Sequence, residues 1–392
     1  MHKLRTIAAG IAVAATAALV ASAVPAHADP PFGSNHQRIV PADYDIVSVG
    51  ANTDENLFNA LSSSYDATIP AKKHSAALPY LYTWNALPPG VTTTPTGVVY
   101  KIKPKAGCSA ATGRPNGSGA GLKLLDLNAV DTINNKYFCI DFARSSSGRS
   151  SSSPAEKPGG VGYVALATDA VTYAVRDVAP KGKPVTYAPK NLSLAQLREI
   201  FLCTDTTWGQ VGGTKGQPIH AYLPQSGSGT LTFWLKALGI TAAGSCVSDL
   251  NGTLEENQGL STQFNSPNAI FIYSVGDWIA QKYHSALPGH NPTGTQNKFG
   301  NDVAGFLGLG SIDGVAPIVK GATGPAINKK FKSTGFTRTL YDIVRYRAGG
   351  DHIPADLDRI MSRKGYFCSS KTATKAIVSY GFLPSLTCGA IS

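Results

Sequence analysis

Three times in this sequence a short β-forming run gives way to a turn of small polar residues and then to a helical pattern. The turns are Gly50-Ala-Asn-Thr-Asp54, Asn116-Gly-Ser-Gly-Ala120 and Ser226-Gly-Ser-Gly-Thr230. Strands that alternate with helices must stack helices on a sheet, so the expected class is α/β. With 392 residues the chain is long enough for two packed cores. Gly (41) and Pro (25) are frequent enough to expect many loops between the elements.

The turns also carry the candidate chemistry. A helix N-terminus presents unpaired N–H donors and about half a positive charge. Glycine lets successive amides converge, and Ser or Thr hydroxyls add donors at the cap. Several such ends aimed at one cleft make an oxyanion site with little need for lysine. A fourth segment, Arg144-Ser-Ser-Ser-Gly-Arg149, follows another β-forming run and joins the set as a Ser-rich loop.

Strands are expected over Asp45–Val49, Gly97–Ile102, Phe138–Phe142, Val161–Thr168, Val171–Val175, His220–Leu223 and Asn268–Ser274. Helices are expected with Leu57, Phe58, Leu61 and Tyr65 on one face, over Leu122–Val130, and over Leu192–Phe201 with Asn191 or Ser193 as cap. Two more are expected over Thr230–Leu238, stopped by Gly239, and over Asp277–His284. No internal repeat is visible, and Pro288–Gly300 reads as a surface excursion.

The first 28 residues read as a cleaved export signal. His2, Lys3 and Arg5 precede an apolar Ala- and Val-rich run that closes on Ala26-His27-Ala28. No cysteine stands at the cleavage point, so no lipid anchor is expected and the mature protein should be released to the cell exterior. The six cysteines all follow this segment. Each neighbouring pair brackets one compact segment, which predicts Cys108–Cys139, Cys203–Cys246 and Cys368–Cys388 disulfides. Each would stabilise by about 3 kcal/mol in the loop-entropy view. A metal or redox role is disfavoured, because there is no Cys-x-x-Cys and no His cluster beside them.

The 35 basic and 24 acidic residues give a net charge of +11, spread along the chain without a long basic block. An anionic partner fits this balance, whereas nucleic acid does not. Enzyme signatures are absent: no Gly-x-Ser-x-Gly, no His-Glu-x-x-His and no phosphate-binding Gly-x-x-x-x-Gly-Lys-Ser/Thr. No cofactor or metal is called for. His220 reads as a core histidine, Asp141 either orients Arg144 or caps its turn, and Glu255-Glu256 reads as solvated surface.

The order of these motifs resembles the PstS-type phosphate-binding proteins of ABC importers and, more widely, secreted actinobacterial substrate-binding proteins. The segments that carry the likeness are Gly-Ala-Asn-Thr, Gly-Ser-Gly-Ala-Gly, Asp-Phe-Ala-Arg-Ser-Ser, Asn-Leu-Ser-Leu-Ala-Gln-Leu-Arg-Glu-Ile-Phe and Ser-Gly-Ser-Gly-Thr, between Asp45 and Tyr283. The resemblance implies a two-lobed type 2 periplasmic-binding fold with ligand in the interlobe cleft. It implies a leader over 1–28, a first lobe over 29–167, a second over 168–320 and a return over 321–392. It further implies ligand contacts at Thr53, Asp54, Ser118, Gly119, Arg144, Ser145, Ser146, Ser228, Gly229 and Thr230. The family's ligand-facing Asp corresponds to Ser146 and its Arg to Pro224, which either favours a fully ionised oxyanion such as sulfate or leaves Asp54 to substitute, with Arg144 able to replace the missing guanidinium. The function implied is capture of a small oxyanion, phosphate first, with sulfate or a phosphate ester as other guests. A monomer is expected, either with an ABC permease as partner or, without a lipid anchor, as a free extracellular scavenger. The alternative is an exported protein on the same fold with a hydrolytic, adhesive or scaffold role. Arg144→Ala is expected to abolish affinity with little effect on stability.

Overall fold

The computed structural model describes residues 29–30, 38–88, 91, 98–127, 132–133, 136–177, 185–283, 304–305, 307–321, 324–346 and 353–392. The leader and the Pro288–Gly300 excursion lie outside these residues.

A nine-stranded mixed sheet runs through the molecule. Its strands are β1 (Ile46–Gly50), β2 (Leu81–Thr83), β3 (Phe142–Ser145), β4 (Val161–Arg176), β5 (His220–Ala221), β6 (Ala269–Ser274), β7 (Leu307–Leu309), β8 (Thr337–Arg345) and β9 (Leu383–Pro384). The main path is β5-β6-β4-β8-β3-β1-β2, with β7 and β9 also pairing β4. β1 is parallel to both β2 and β3, whereas β4 and β8 run antiparallel along their length. The two runs expected over Val161–Thr168 and Val171–Val175 are therefore one strand of 16 residues. Asp169, which separates them in the sequence, stays in the strand because Arg338 pairs its carboxylate.

β4 and β8 serve two lobes. One end of the pair carries β3, β1 and β2, and the other carries β6 and β7. Their shared register shifts between Leu340 and Tyr341, an irregularity that locally raises twist. Hydrophobic packing follows this division. Leu57, Phe58 and Leu61 of α1 (Glu55–Asp66) pack with Phe142, Leu166 and Leu340. Trp208, Trp234, Phe271 and Tyr273 build the other core, together with Phe331 and Phe336. Burial of each large apolar side chain contributes about 1.5–3 kcal/mol.

The helices largely follow the sequence pattern. α2 spans Ser118–Leu127, beginning four residues earlier than expected because Ser118 opens it. α3 (Leu194–Phe201) starts on a Ser193–Gln196 capping box, which decides between the two cap candidates. α4 (Gly229–Leu238) is capped by Ser228 and stops at left-handed Gly239, and α5 spans Val275–Tyr283. Three C-terminal helices, α6 (Ala355–Met361), α7 (Tyr366–Ser369) and α8 (Lys371–Ser379), cover the first core. All three expected disulfides are present, at sequence separations of 31, 43 and 20.

Some expectations need correction. The run Phe138–Phe142 is two separate strand pieces, and the second continues to Ser145, so Arg144 stands in a strand and not in the Ser-rich loop. His220 is exposed at the sheet edge instead of buried. Asp141 neither orients Arg144 nor merely caps a turn. It accepts from the Val47 amide at 2.7 Å and from Lys105 Nζ at 2.8 Å.

Candidate functional site

β1, parallel to β3, feeds α1 through the Gly50–Asp54 turn; Asn116, just before α2, bridges to Gly50, and Thr230, at the start of α4, reaches Thr53. The approach requires glycine. At Gly229 a Cβ would stand 2.4 Å from Ser118 Oγ and 2.5 Å from Ser146 Oγ. At Gly117, with φ of +91°, it would stand 2.5 Å from the Gly227 carbonyl oxygen. The two lobes thus touch backbone to side chain at the helix ends.

Thr53, Ser118, Ser146, Ser228, Gly229 and Thr230 come together in a buried cradle. Thr53 Oγ1 lies 3.3 Å from Thr230 Oγ1, and Ser118 Oγ lies 3.2 Å from Ser146 Oγ. Ser118 Oγ also accepts the Ser146 amide at 3.0 Å. Ser228 Oγ accepts the Thr230 and Leu231 amides, each at 3.1 Å, as the cap of α4. The Gly119 amide donates across the seam to the Gly227 carbonyl at 3.4 Å. Ser145 is turned away from the cradle, its hydroxyl closing a local turn onto the Ser147 carbonyl at 2.7 Å.

The cradle already holds an oxyanion, and it belongs to the chain. Glu256 reaches into it: one carboxylate oxygen accepts from Thr53 Oγ1, the other from Ser228 Oγ, and the Thr230 amide points at the latter from 3.4 Å. Glu255 accepts from Asn116 Nδ2 at 2.5 Å and from Asn52 Nδ2 at 3.4 Å. Both glutamates are buried, which overturns the expectation of solvated surface. The reason is a supply of donors on the opposite lobe that a reading of Glu-Glu-Asn-Gln in isolation could not see.

Arg144 is committed elsewhere. It is sealed from solvent beneath the α1 turn. It donates to the Ala51 carbonyl at 3.2 Å, to Ser48 Oγ at 3.3 Å, to the Trp84 carbonyl at 2.9 Å and to Thr83 Oγ1. Asp54 lies 3.7 Å from its Nε. Burial pushes the Asp54 carboxyl up to about 7, and the nearby Glu256 charge adds to this against the pull of Arg144 and Arg338. Asp342, also buried, is raised well above 3.8 by burial and by Asp54.

The guanidinium that does touch the cradle is Arg338 on β8. Its Nη2 donates to Thr230 Oγ1 at 3.0 Å, and Nε and Nη2 grip Asp169 at 3.0 and 2.9 Å. Its Nη1 is buried with no hydrogen-bond partner among the described residues. Sequence reasoning passed over Arg338, yet a signal existed. In Thr-Arg-Thr-Leu-Tyr-Asp the charged Arg338 alternates with exposed-phase threonines and shares its phase with Leu340, so it points inward. Among the described residues no group of His, Cys, Asp and Glu could hold a metal ion. A 260 Å³ cavity bordered by Leu125, Phe138, Arg345 and Leu357 shares no residue with the cradle.

Residues 91–326 match the model of a family described as a PBP superfamily domain, more than half of the chain. Among solved structures, a candidate phosphate ABC transporter substrate-binding protein from Clostridium perfringens, solved with bound phosphate, is similar over 87% of this chain and 99% of its own. Its identity is 14% and its TM-score 0.53. An ABC-type phosphate transport receptor from Vibrio cholerae is similar over 87% of this chain and 100% of its own, at 17% identity and a TM-score of 0.48. No curated protein matches.

Proposed function

The chain belongs to the PBP superfamily domain family, and from that premise we propose that it is a solute-binding protein that captures a small oxyanion, phosphate first, between its lobes. The observation that carries the reading is the Glu256 carboxylate. An oxyanion sits where Thr53, Ser228 and the α4 N-terminus converge, so the donors are spaced for one. Charge-assisted bonds of this kind are about twice as strong as neutral ones. A tetrahedral guest would add the Ser118 and Ser146 hydroxyls and the Nη1 of Arg338, a donor that neither Asp169 nor Thr230 uses.

In this proposal the ligand set is Thr53, Ser118, Gly119, Ser146, Ser228, Gly229 and Thr230, with Arg338 in the place first expected of Arg144. Asp54, buried with neither carboxylate oxygen hydrogen-bonded among the described residues and its carboxyl raised to about 7, is the group proposed to share a proton with a hydrogen phosphate. The first lobe ends near 167, and the second takes in the following segment. The packing of Phe331 and Phe336 with the second core supports a return at Thr337. The protein acts without catalysis, as an exported monomer that hands its guest to an ABC permease. No helix among the described residues is long and apolar enough to cross a membrane.

Calorimetric titration with phosphate, sulfate and a phosphate ester tests the reading. Heat with phosphate that disappears in Thr230→Val supports it, and no heat with any of the three ends it. The filled cradle also favours a second reading, a permanently closed scaffold, for which no anion at any concentration would displace the carboxylate.

A further inference from the structure

Resting on the oxyanion reading of the cradle, we propose that Glu256 is a tethered competitor for it and sets the affinity threshold that a free ligand must exceed. The segment that carries Glu256 is anchored in the second lobe. Leu254 packs in that core, its carbonyl accepts the Gln225 amide at 2.8 Å, and its amide donates to Asp249 at 3.3 Å. From there the next residues cross the seam. Glu255 bonds Asn52 and Asn116, Glu256 bonds Thr53, and Asn257 Nδ2 donates to Glu55 at 3.2 Å. One short strand of chain thus supplies bonds to the α1 turn and to the start of α2, both in the first lobe.

Two consequences follow from this geometry. A free anion and the Glu256 carboxylate use the same donors on Thr53, Ser228 and Thr230, so they exclude each other. A tethered group acts at a high effective concentration, and the apparent affinity for a free ligand falls by the fraction of molecules whose cradle is vacant. The carboxylate also bridges the lobes, so it holds them together without a guest. A monocarboxylate leaves the Ser118–Ser146 pair bonded to itself. A tetrahedral dianion can recruit that pair as well as Arg338, and this extra set of donors lets it win.

The test uses the exported chain without its leader, comparing wild type with Glu256→Ala and Glu256→Gln. Phosphate affinity is read by calorimetry and lobe closure by small-angle scattering with and without phosphate. Expected is a phosphate affinity at least about 10-fold tighter in Glu256→Ala, a smaller gain in Glu256→Gln, and a ligand-free Glu256→Ala that is more expanded than wild type and contracts on adding phosphate. Equal affinities with equal dimensions overturn the proposal. Weaker binding in Glu256→Ala also overturns it and makes the carboxylate a ligand contact. If no variant binds phosphate, the oxyanion function falls. The scattering comparison then still decides the tether: an unchanged radius in Glu256→Ala rejects it, and an expanded one retains it.

Discussion

Arg144 and Arg338 are both buried, both lie on strands that pair with each other, and both face a carboxylate, yet they serve different ends. Arg144 spends its donors inside one lobe, on carbonyls and hydroxyls of β1 and β2 and their following turns. Arg338 bridges: it ties Asp169 on β4 to Thr230 at the start of α4 and keeps a nitrogen in reserve. The difference teaches that a buried guanidinium marks a binding site only when some of its donors are left uncommitted. Arg144 holds the floor on which the cradle is built, and Arg338 is part of its wall.

The contrast can be broken most directly at Arg144. Arg144→Ala is expected to cost about 3–5 kcal/mol of unfolding free energy, because it strips a buried charge from its partners. Chemical denaturation checks this, and an unchanged midpoint would return Arg144 to the role of a free ligand donor. Arg338→Lys should instead keep the fold and lower phosphate affinity about 10–100-fold, the worth of one charged hydrogen bond. Gly229→Ala comes next. Its methyl meets Ser118 and Ser146 oxygens at 2.4 and 2.5 Å, so closure should weaken by about 1–3 kcal/mol, read as reduced phosphate affinity.

Asp54 sharpens the comparison through pH. Its carboxyl is raised from 3.8 to about 7, so the folded chain binds more protons than the unfolded chain between those values. Stability from this group is therefore full below about pH 4 and declines as pH rises through 7. Denaturation across that window should show the wild-type slope reduced in Asp54→Asn, by at most about 1.4 kcal/mol per pH unit. The smallest effect belongs to Ser193→Ala at the cap of α3, about 1 kcal/mol of stability with phosphate affinity unaltered.

Much of this architecture was legible in the sequence because local rules dictate it. The apolar spacing of Leu57, Phe58 and Leu61 fixes the buried face of α1, and Gly239 ends α4 in the left-handed conformation it alone favours. The convergence of Thr53, Ser118 and Ser228 was legible too, since each stands between a strand and a helix. What was illegible depends on partners distant in the chain. Glu256 is solvated by every local criterion and becomes buried because Thr53, 203 residues away, and Ser228 and Thr230 supply donors. Arg144 looked like a loop residue because its strand outlasts the β-forming run, held by pairing to both Gly50 and Asp342.

The three disulfides have a bearing on movement. Cys203–Cys246 fastens the end of α3 to the loop after α4, Cys108–Cys139 lies beside the first lobe's sheet, and Cys368–Cys388 ties α7 to the terminal segment. None links one lobe to the other, so the disulfides stiffen each half and leave the articulation between them to the β4 and β8 strands and to non-covalent contacts. Three covalent staples can then harden this protein against proteolysis without freezing the gesture by which it would take up and release cargo.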